Sequence, residues 1–322
     1  METSTGTEAT GSSRLADEVR RDLSGTPRRL QPRHLYDALG SRLFEAICEL
    51  PQYPITRAER RLLEAHAAEI GDGMARPVTL VELGGGSGEK LALVARPIAG
   101  RGPLRVELVD VSATALTIAT RTLSRIPGLT VTGHEATYEQ GLRRIAAARS
   151  GPGDLLAAFL GSNIGNLDPP AAVRFLAEVR ASLRAGDRLL LGADLVKAAA
   201  RLVQAYDDPL GVTAAFNKNV LARLNRELGA DFDLEQFAHR AIWNAAASRV
   251  EMHLESLCPQ TVTIPGADLQ VRLAEGESIW TESSYKYTTD GIVQLGGSSG
   301  FIMRDQWVEP DARFALTVFV AE

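Results

Sequence analysis

Between residues 78 and 195 the chain switches repeatedly from short apolar runs to helical stretches, and that alternation restricts the folds open to it. "PVTLVEL" (77–83), "RVELVDV" (105–111), "LTVTGH" (129–134), "DLLAAFLG" (154–161) and "DRLLLGADL" (187–195) read as strands. "SATALTIATRTLSRI" (112–126) and "PPAAVRFLAEVRASLRAG" (169–186) read as helices, the second opened by Asp168 and its prolines and stopped by Gly186. Strands alternating with helices predict an α/β fold with a mostly parallel sheet covered on both faces. Right-handed crossovers then bring the C-terminal strand ends to one edge, where such sheets bind ligands.

The flanks read differently. Residues 14–70 look helical and carry the turn-like "ELPQYPITRAE". After 195 come helical patterns through "VTAAFNKNVLARLNREL" (212–228), then the β-rich "RVEMHLESL" (249–257) and "TVTIPGADLQVRLAEGESIW" (261–280), with "PGAD" as a hairpin turn. A helix-like segment, "FIMRDQWV" (301–308) and "ARFALTVFVAE" (312–322) close the chain, the last two as an antiparallel hairpin added to the sheet. The expected division is a flexible tail at 1–13, a second α+β domain from 14–60 and 196–286, and the core from 61–195 and 287–322.

Composition narrows the function. The 322 residues are 45% hydrophobic and 23% charged, enough for a large core. A net charge of −5 gives no electrostatic footprint for nucleic acid. No run approaches the ~18 apolar residues of a membrane span. The opening "METSTGTEATGSS" lacks the basic and apolar regions of a secretion signal. Cys48 and Cys258 are the two thiols, too few for a disulfide scaffold, and His34, His66, His134, His239 and His253 lack metal-ligand spacing. A cytoplasmic protein is expected, with no metal and no nucleic-acid or membrane partner.

Two stretches carry the chemistry. "VELGGGSGEK" (81–90) puts Gly84, Gly85, Gly86 and Gly88 where the first strand turns into a helix, so bare backbone can lie under a ligand. Glu89 breaks the dinucleotide G-x-G-x-x-G spacing, and Lys90 lacks the phosphate-loop context. Asp110 ends the second strand, where a carboxylate accepts from both ribose hydroxyls. After the third strand, "HEATYEQGL" (134–142) offers Thr137 as an acceptor and Tyr138 as a packing ring. The loop and acid fit a nucleoside-bearing cofactor; the rival is a purely structural turn. "GSNIGN" (161–166), after the apolar "LLAAFL", supplies close backbone approach from its small residues and amide groups from Asn163 and Asn166.

The loop resembles the E/D-x-G-x-G turn of class I S-adenosylmethionine methyltransferases. A more specific likeness rests on "YDALGSRLFEAICELPQYPITRAE" (36–59), "FLGSNIGN" (159–166), "LVQAYDDPLGVTAAFNKNVLARLNRELGADFDL" (202–234), "RVEMHLES" (249–256) and "TESSYKY" (281–287). Together these resemble the histidine Nα-methyltransferases of ergothioneine biosynthesis, from about residue 14 to the C-terminus. The resemblance implies a Rossmann-like class I methyltransferase core joined to a substrate-binding domain. It implies S-adenosylmethionine as co-substrate, held by Gly84, Lys90 and Asp110, with Thr137 and Tyr138 on the adenine side. Thr137 departs from the family's usual Asp, and Pro54 and Ile55 from its usual Tyr-Pro. L-histidine is then held by Tyr53, Gly161, Asn166, Tyr206, Met252, Glu282 and Ser284. Asn166 and Tyr206 grip the carboxylate and amine end, a Gly161 carbonyl lies beside the amine, and Glu282 and Ser284 face the imidazole. No residue is assigned as general base. The implied activity is successive Nα-methylation of L-histidine to its trimethyl betaine, hercynine, by a monomer. The rivals are the same chemistry on tryptophan or a derivative, which a carboxylate facing an indole disfavours, and a cofactor-binding module without turnover.

Overall fold

The computed structural model describes residues 5–84 and 86–322, with side chains from Ser13 onward. The chain forms two compact units. One contains the residues up to Pro54 and Lys197–Ser284; the other contains Ile55–Val196 and Tyr285–Glu322. In chain order, the first unit begins with helices α1 (Thr5–Ser24) and α2 (Ala38–Glu49). The second unit follows with α3 (Ile55–Ile70), β1 (Val78–Leu83), α4 (Glu89–Ala99), β2 (Leu104–Asp110), α5 (Ala113–Leu123), β3 (Leu129–Glu135), α6 (Tyr138–Ala148), β4 (Leu155–Phe159), α7 (Pro169–Ser182) and β5 (Arg188–Asp194). The chain then returns to the first unit with α8 (Ala199–Tyr206), α9 (Val212–Leu228) and strands β6 (Phe237–Asn244), β7 (Arg249–Ser256), β8 (Gln260–Ile264), β9 (Leu269–Leu273) and β10 (Ser278–Tyr285). It closes in the second with α10 (Thr289–Ser298), β11 (Phe301–Glu309) and β12 (Phe314–Ala321).

The boundaries differ from those expected, for reasons of packing. A cut at residue 60 would split α3, whose buried Ile55, Ala58, Leu62, Leu63 and Ile70 run along the whole helix. That face packs on α4, β12 and β11, so all of α3 belongs with the sheet. The later cut falls at Ser284 rather than 286 because Lys286 is ion-paired to Asp194 at the end of β5, 3.0 Å apart. Of the expected tail, residues 1–4 lie outside the described ones, whereas the backbone is helical from Thr5. Burial of Leu15, Val19 and Leu23 anchors that helix, and propagation past an anchored turn adds a hydrogen bond per residue.

The second unit is built on a seven-stranded sheet in the order β11-β12-β5-β4-β1-β2-β3. Strands β1 to β5 are mutually parallel, and β12 runs antiparallel between β5 and β11. This is a doubly wound topology, as the resemblance implies, with the closing hairpin supplying the antiparallel pair. Every residue of β4 and β5 is buried, as two-sided helix cover requires, whereas edge strand β3 is half open. Asp168 caps α7 by accepting from the Ala171 amide at 2.7 Å. The register sets Leu83 beside Val109 and Asp110 beside Glu135, so the loops after β1, β2 and β3 leave the sheet on one edge.

The first unit combines α1, α2, α8 and α9 with a three-stranded sheet, β10-β7-β6, and the hairpin β8-β9. "PGAD" does form the hairpin turn, closed by Asp268 in a left-handed conformation at φ +45°. The sequence did not mark β6: "FAHRAIWN" lacks apolar alternation because much of this strand is only half covered.

Candidate active site

The glycine loop starts where β1 ends. The Gly84 amide donates to the Val109 carbonyl at 2.9 Å, tying the loop to β2. Gly84 adopts φ +77°, and a Cβ there would lie 2.6 Å from the Tyr138 hydroxyl, so only glycine suits the position. Tyr138 forms edge-on ring contacts with Phe159 and Phe175, at 5.5 and 6.2 Å. Burial pushes its hydroxyl up to about 12, so it stays protonated. Thr137 caps α6, its hydroxyl oxygen accepting from the Gln140 amide at 3.4 Å. Asp110 accepts from the Ser112 amide at 2.8 Å, and partial burial raises its carboxyl above the ordinary range.

Beneath the loop lies Glu82, a buried acid that the sequence reading had not singled out. Desolvation lifts its carboxyl to about 7, against the pull of Lys90 and with repulsion from Glu59 and Asp110. Its Oε2 is buried without a hydrogen-bond partner. A position above Gly86 is open, with no heavy atom within 4 Å of where a Cβ would stand. An unsatisfied buried acceptor, a second carboxylate at the next strand end and bare backbone suit a cationic nucleoside such as S-adenosylmethionine.

The end of β4 explains "GSNIGN". Gly161 takes φ +76° and donates its amide to both oxygens of Glu59, at 2.8 and 2.9 Å. Glu59 projects from α3, is fully buried, and accepts from Lys90 Nζ at 2.6 Å. Gly192 on β5 makes room for it, since a Cβ there would collide with Glu59 Oε1. Ser162 is left-handed at φ 58°, and its hydroxyl accepts from the Asp194 amide at 2.9 Å. The 3-10 turn Asn163–Asn166 follows, closed by the Gly165 amide on the Ser162 carbonyl at 2.8 Å. The Tyr287 hydroxyl donates to the Ile164 carbonyl at 3.2 Å. Asn166 ends this turn on the surface. The two small residues at the start of the motif therefore take left-handed backbone, and the segment turns tightly off the strand end.

The first unit gathers five of the other candidates. Tyr53 meets Tyr206 edge-on, with ring centroids 6.1 Å apart. The Tyr206 hydroxyl donates to Ser284 Oγ at 2.8 Å, and all three residues are buried. Met252 on β7 and Glu282 on β10 are also buried. Thr281, next to Glu282, bonds the Met252 carbonyl at 2.9 Å, so the two strands hold these side chains in fixed relation. The Trp280 indole donates to the Glu282 carbonyl at 2.8 Å, and the Arg249 guanidinium lies 4.4 Å above its ring. Gly161 and Asn166 are carried by the second unit.

The sequence pattern of the family described as "Histidine-specific methyltransferase, SAM-dependent" matches residues 15–321. This chain belongs to that family. A histidine N-alpha-methyltransferase of Mycolicibacterium smegmatis is 41% identical over 308 residues, covering 95% of this chain and 94% of the relative. One of Mycobacterium tuberculosis is also 41% identical, over 97% of this chain and 96% of the relative. "Ergothioneine biosynthesis protein 1" of Neurospora crassa is 27% identical, over 87% of this chain and 32% of the relative.

In this histidine-specific methyltransferase, sequence reasoning missed Glu59 and Glu82. Glu82 had a signal, as the acid of the E-x-G-x-G loop. Glu59 had none, because "ITRAE" reads as an ordinary amphipathic helix start. The Asp194–Lys286 pair, with both side chains almost wholly buried, was equally silent, since its partners are 92 positions apart in sequence.

Proposed function

We propose that this enzyme transfers methyl groups from S-adenosylmethionine to the α-amine of L-histidine, successively, to give the trimethyl betaine of ergothioneine biosynthesis. Family membership and the names of the relatives support the reaction. The observation that carries the substrate assignment is the buried carboxylate of Glu282, on the strand whose Ser284 meets the Tyr206 hydroxyl. A carboxylate there can accept from an imidazole N–H and also suits a ring that can take up a proton, as imidazole does and indole does not.

The residues divide the work. Asp110 accepts from the ribose hydroxyls, Glu82 and Lys90 set the charge under the glycine loop, and Thr137 and Tyr138 border the adenine. Tyr206 and Asn166 donate to the substrate carboxylate, Gly161 offers its carbonyl to the amine, and Tyr53, Met252, Glu282 and Ser284 enclose the ring. S-adenosylmethionine supplies an electrophilic methyl on a sulfonium, and holding the amine in line with it accounts for much of the acceleration. The amine attacks neutral, so its proton leaves before or during each transfer. The reading includes a monomer in the cytoplasm that works on free amino acid without a metal. Among the described residues no helix is long and apolar enough to cross a membrane.

The test incubates purified enzyme with S-adenosylmethionine and each free amino acid, followed by mass spectrometry. Mono-, di- and trimethylated histidine are expected. Product from tryptophan with none from histidine would overturn the substrate, and cofactor binding without any product would leave only a binding module.

A further inference from the structure

At its His239 end, a buried polar chain in the first unit has a single consistent proton arrangement. The Tyr206 carbonyl, at the C-terminal end of α8, lies 2.7 Å from His239 Nε2. A carbonyl only accepts, so Nε2 carries the hydrogen. His239 Nδ1 lies 2.9 Å from Asn217 Nδ2, which also donates to the His253 carbonyl at 3.1 Å. The His253 carbonyl fixes the orientation of the Asn217 amide, because the flipped form would set oxygen against oxygen. Both Asn217 amide hydrogens are thereby used, and Nδ1 must accept. On the far side Thr281 Oγ1 approaches Asn217 Oδ1 at 2.6 Å and the Met252 carbonyl at 2.9 Å. Asn217 and Thr281 are buried, and His239 is half-buried.

We propose that His239 is a positioning residue for the amino-acid site. Its neutral Nε2–H form fixes the Tyr206 backbone and, through Asn217 and Thr281, the β7 and β10 backbone that carries Met252 and Glu282. Protonation turns Nδ1 into a donor facing a donor, which breaks the chain at its centre, so amino-acid affinity falls in acid. The surroundings favour the neutral ring: desolvation lowers its basicity first, and Lys218 on α9 lowers it further. The Tyr206 carbonyl, Asp207 and Asp208 act in the opposite sense, without reversing the direction. On the two-stranded register, His239 pairs with Leu254, whereas His253 and Glu255 pair with Arg240 and Ala238, and strand alternation turns those four to the other face.

The proposal rests on the histidine reading above, and two kinds of measurement separate them. Side-chain nitrogen NMR of the full chain should report His239 as the Nε2–H tautomer at neutral pH, with Tyr206 resonances shifting as His239 titrates. An Nδ1–H tautomer, or Tyr206 signals indifferent to that titration, would overturn the proposal whatever the substrate is. In kinetics, His239→Phe should raise KM for L-histidine about tenfold, with kcat and KM for S-adenosylmethionine nearly unchanged. His239→Gln keeps one donor and one acceptor, and should restore KM. It should also lose the part of the KM rise below about pH 6.5 that wild type shows beyond the substrate's own titration, since burial holds the ring's basicity below the ordinary imidazole value. A His239→Gln profile identical to wild type, or an unchanged KM in folded His239→Phe, would sink it. A wild type that methylates no histidine fails the functional reading alone, and the NMR result then decides the role of His239.

Discussion

The two units hold their candidate residues by opposite means. At the strand ends of the second unit the framework is ionic: Glu59 with Lys90, Asp194 with Lys286, and the unsatisfied Glu82. In the first unit it is a chain of neutral dipoles running from Tyr206 through His239 and Asn217 to Thr281, and only Glu282 among the candidates there carries charge. Buried charges are costly when a partner is removed, and their energies follow pH. Neutral networks cost less per group but depend on each hydrogen pointing the right way. An edge that binds a cationic nucleoside is suited by the first arrangement, and a pocket that must discriminate among amino acids by the second.

The largest expected effect breaks the ionic side. Glu59→Ala removes the 2.6 Å ion-pair partner of Lys90 and the acceptor of the Gly161 amide, which should cost about 3 kcal/mol in urea unfolding. The estimate sits low in the usual range because the Lys90 side chain is 25% exposed. Asn217→Ala should cost less, about 1–2 kcal/mol, as expected for neutral partners left unsatisfied. Equal losses would erase the contrast between the units.

Next comes the one charged candidate of the neutral side. Glu282→Ala should lower kcat/KM for histidine by about 1.5–3 kcal/mol, a loss of roughly 10- to 150-fold, as expected for a hydrogen bond to a charged group. Calorimetry should find S-adenosylmethionine binding unaffected. A matching loss in cofactor binding would show that Glu282 shapes the fold and does not read the ring.

The smallest effect tests Glu82. Its folded carboxyl titrates near 7, above its ordinary value of 4.5, so the folded chain binds the extra proton between these limits. Stability should therefore fall as pH rises through that window, and ionised Glu82 is the cause. Glu82→Gln should flatten the fall and stabilise the ligand-free protein at about pH 8 by on the order of 1 kcal/mol. The same change should weaken cofactor binding at that pH, because the carboxylate is then missing. A variant with an unaltered stability profile would remove Glu82 from the ionic set.

Much of the second unit was legible in the sequence, because its parallel strands are buried on both faces and read as nearly continuous apolar runs. The first unit's β6 was not, since a half-covered strand carries Ala, His and Arg where alternation would need apolar residues. Residues beside glycines or at strand ends can be proposed from local signatures, as Asp110 and Gly161 are, although Glu82 in the same setting was passed over. Glu59 and His239 were not found, because each is defined by a partner far away: Gly161 for one, Tyr206 and Asn217 for the other.

The sequence by itself determined the strand–helix order, the glycine loop, the acid at the end of β2 and the family pattern over residues 15–321. These are local properties of periodicity and spacing, and they persist in a linear string. Only the tertiary structure decided that α3 belongs whole to the sheet-bearing unit, that the Gly161 amide is committed to Glu59, and that Glu82 is buried with an unsatisfied oxygen. Desolvation and hydrogen-bond geometry depend on which distant groups exclude water from a site, and the order of residues along the chain does not specify that.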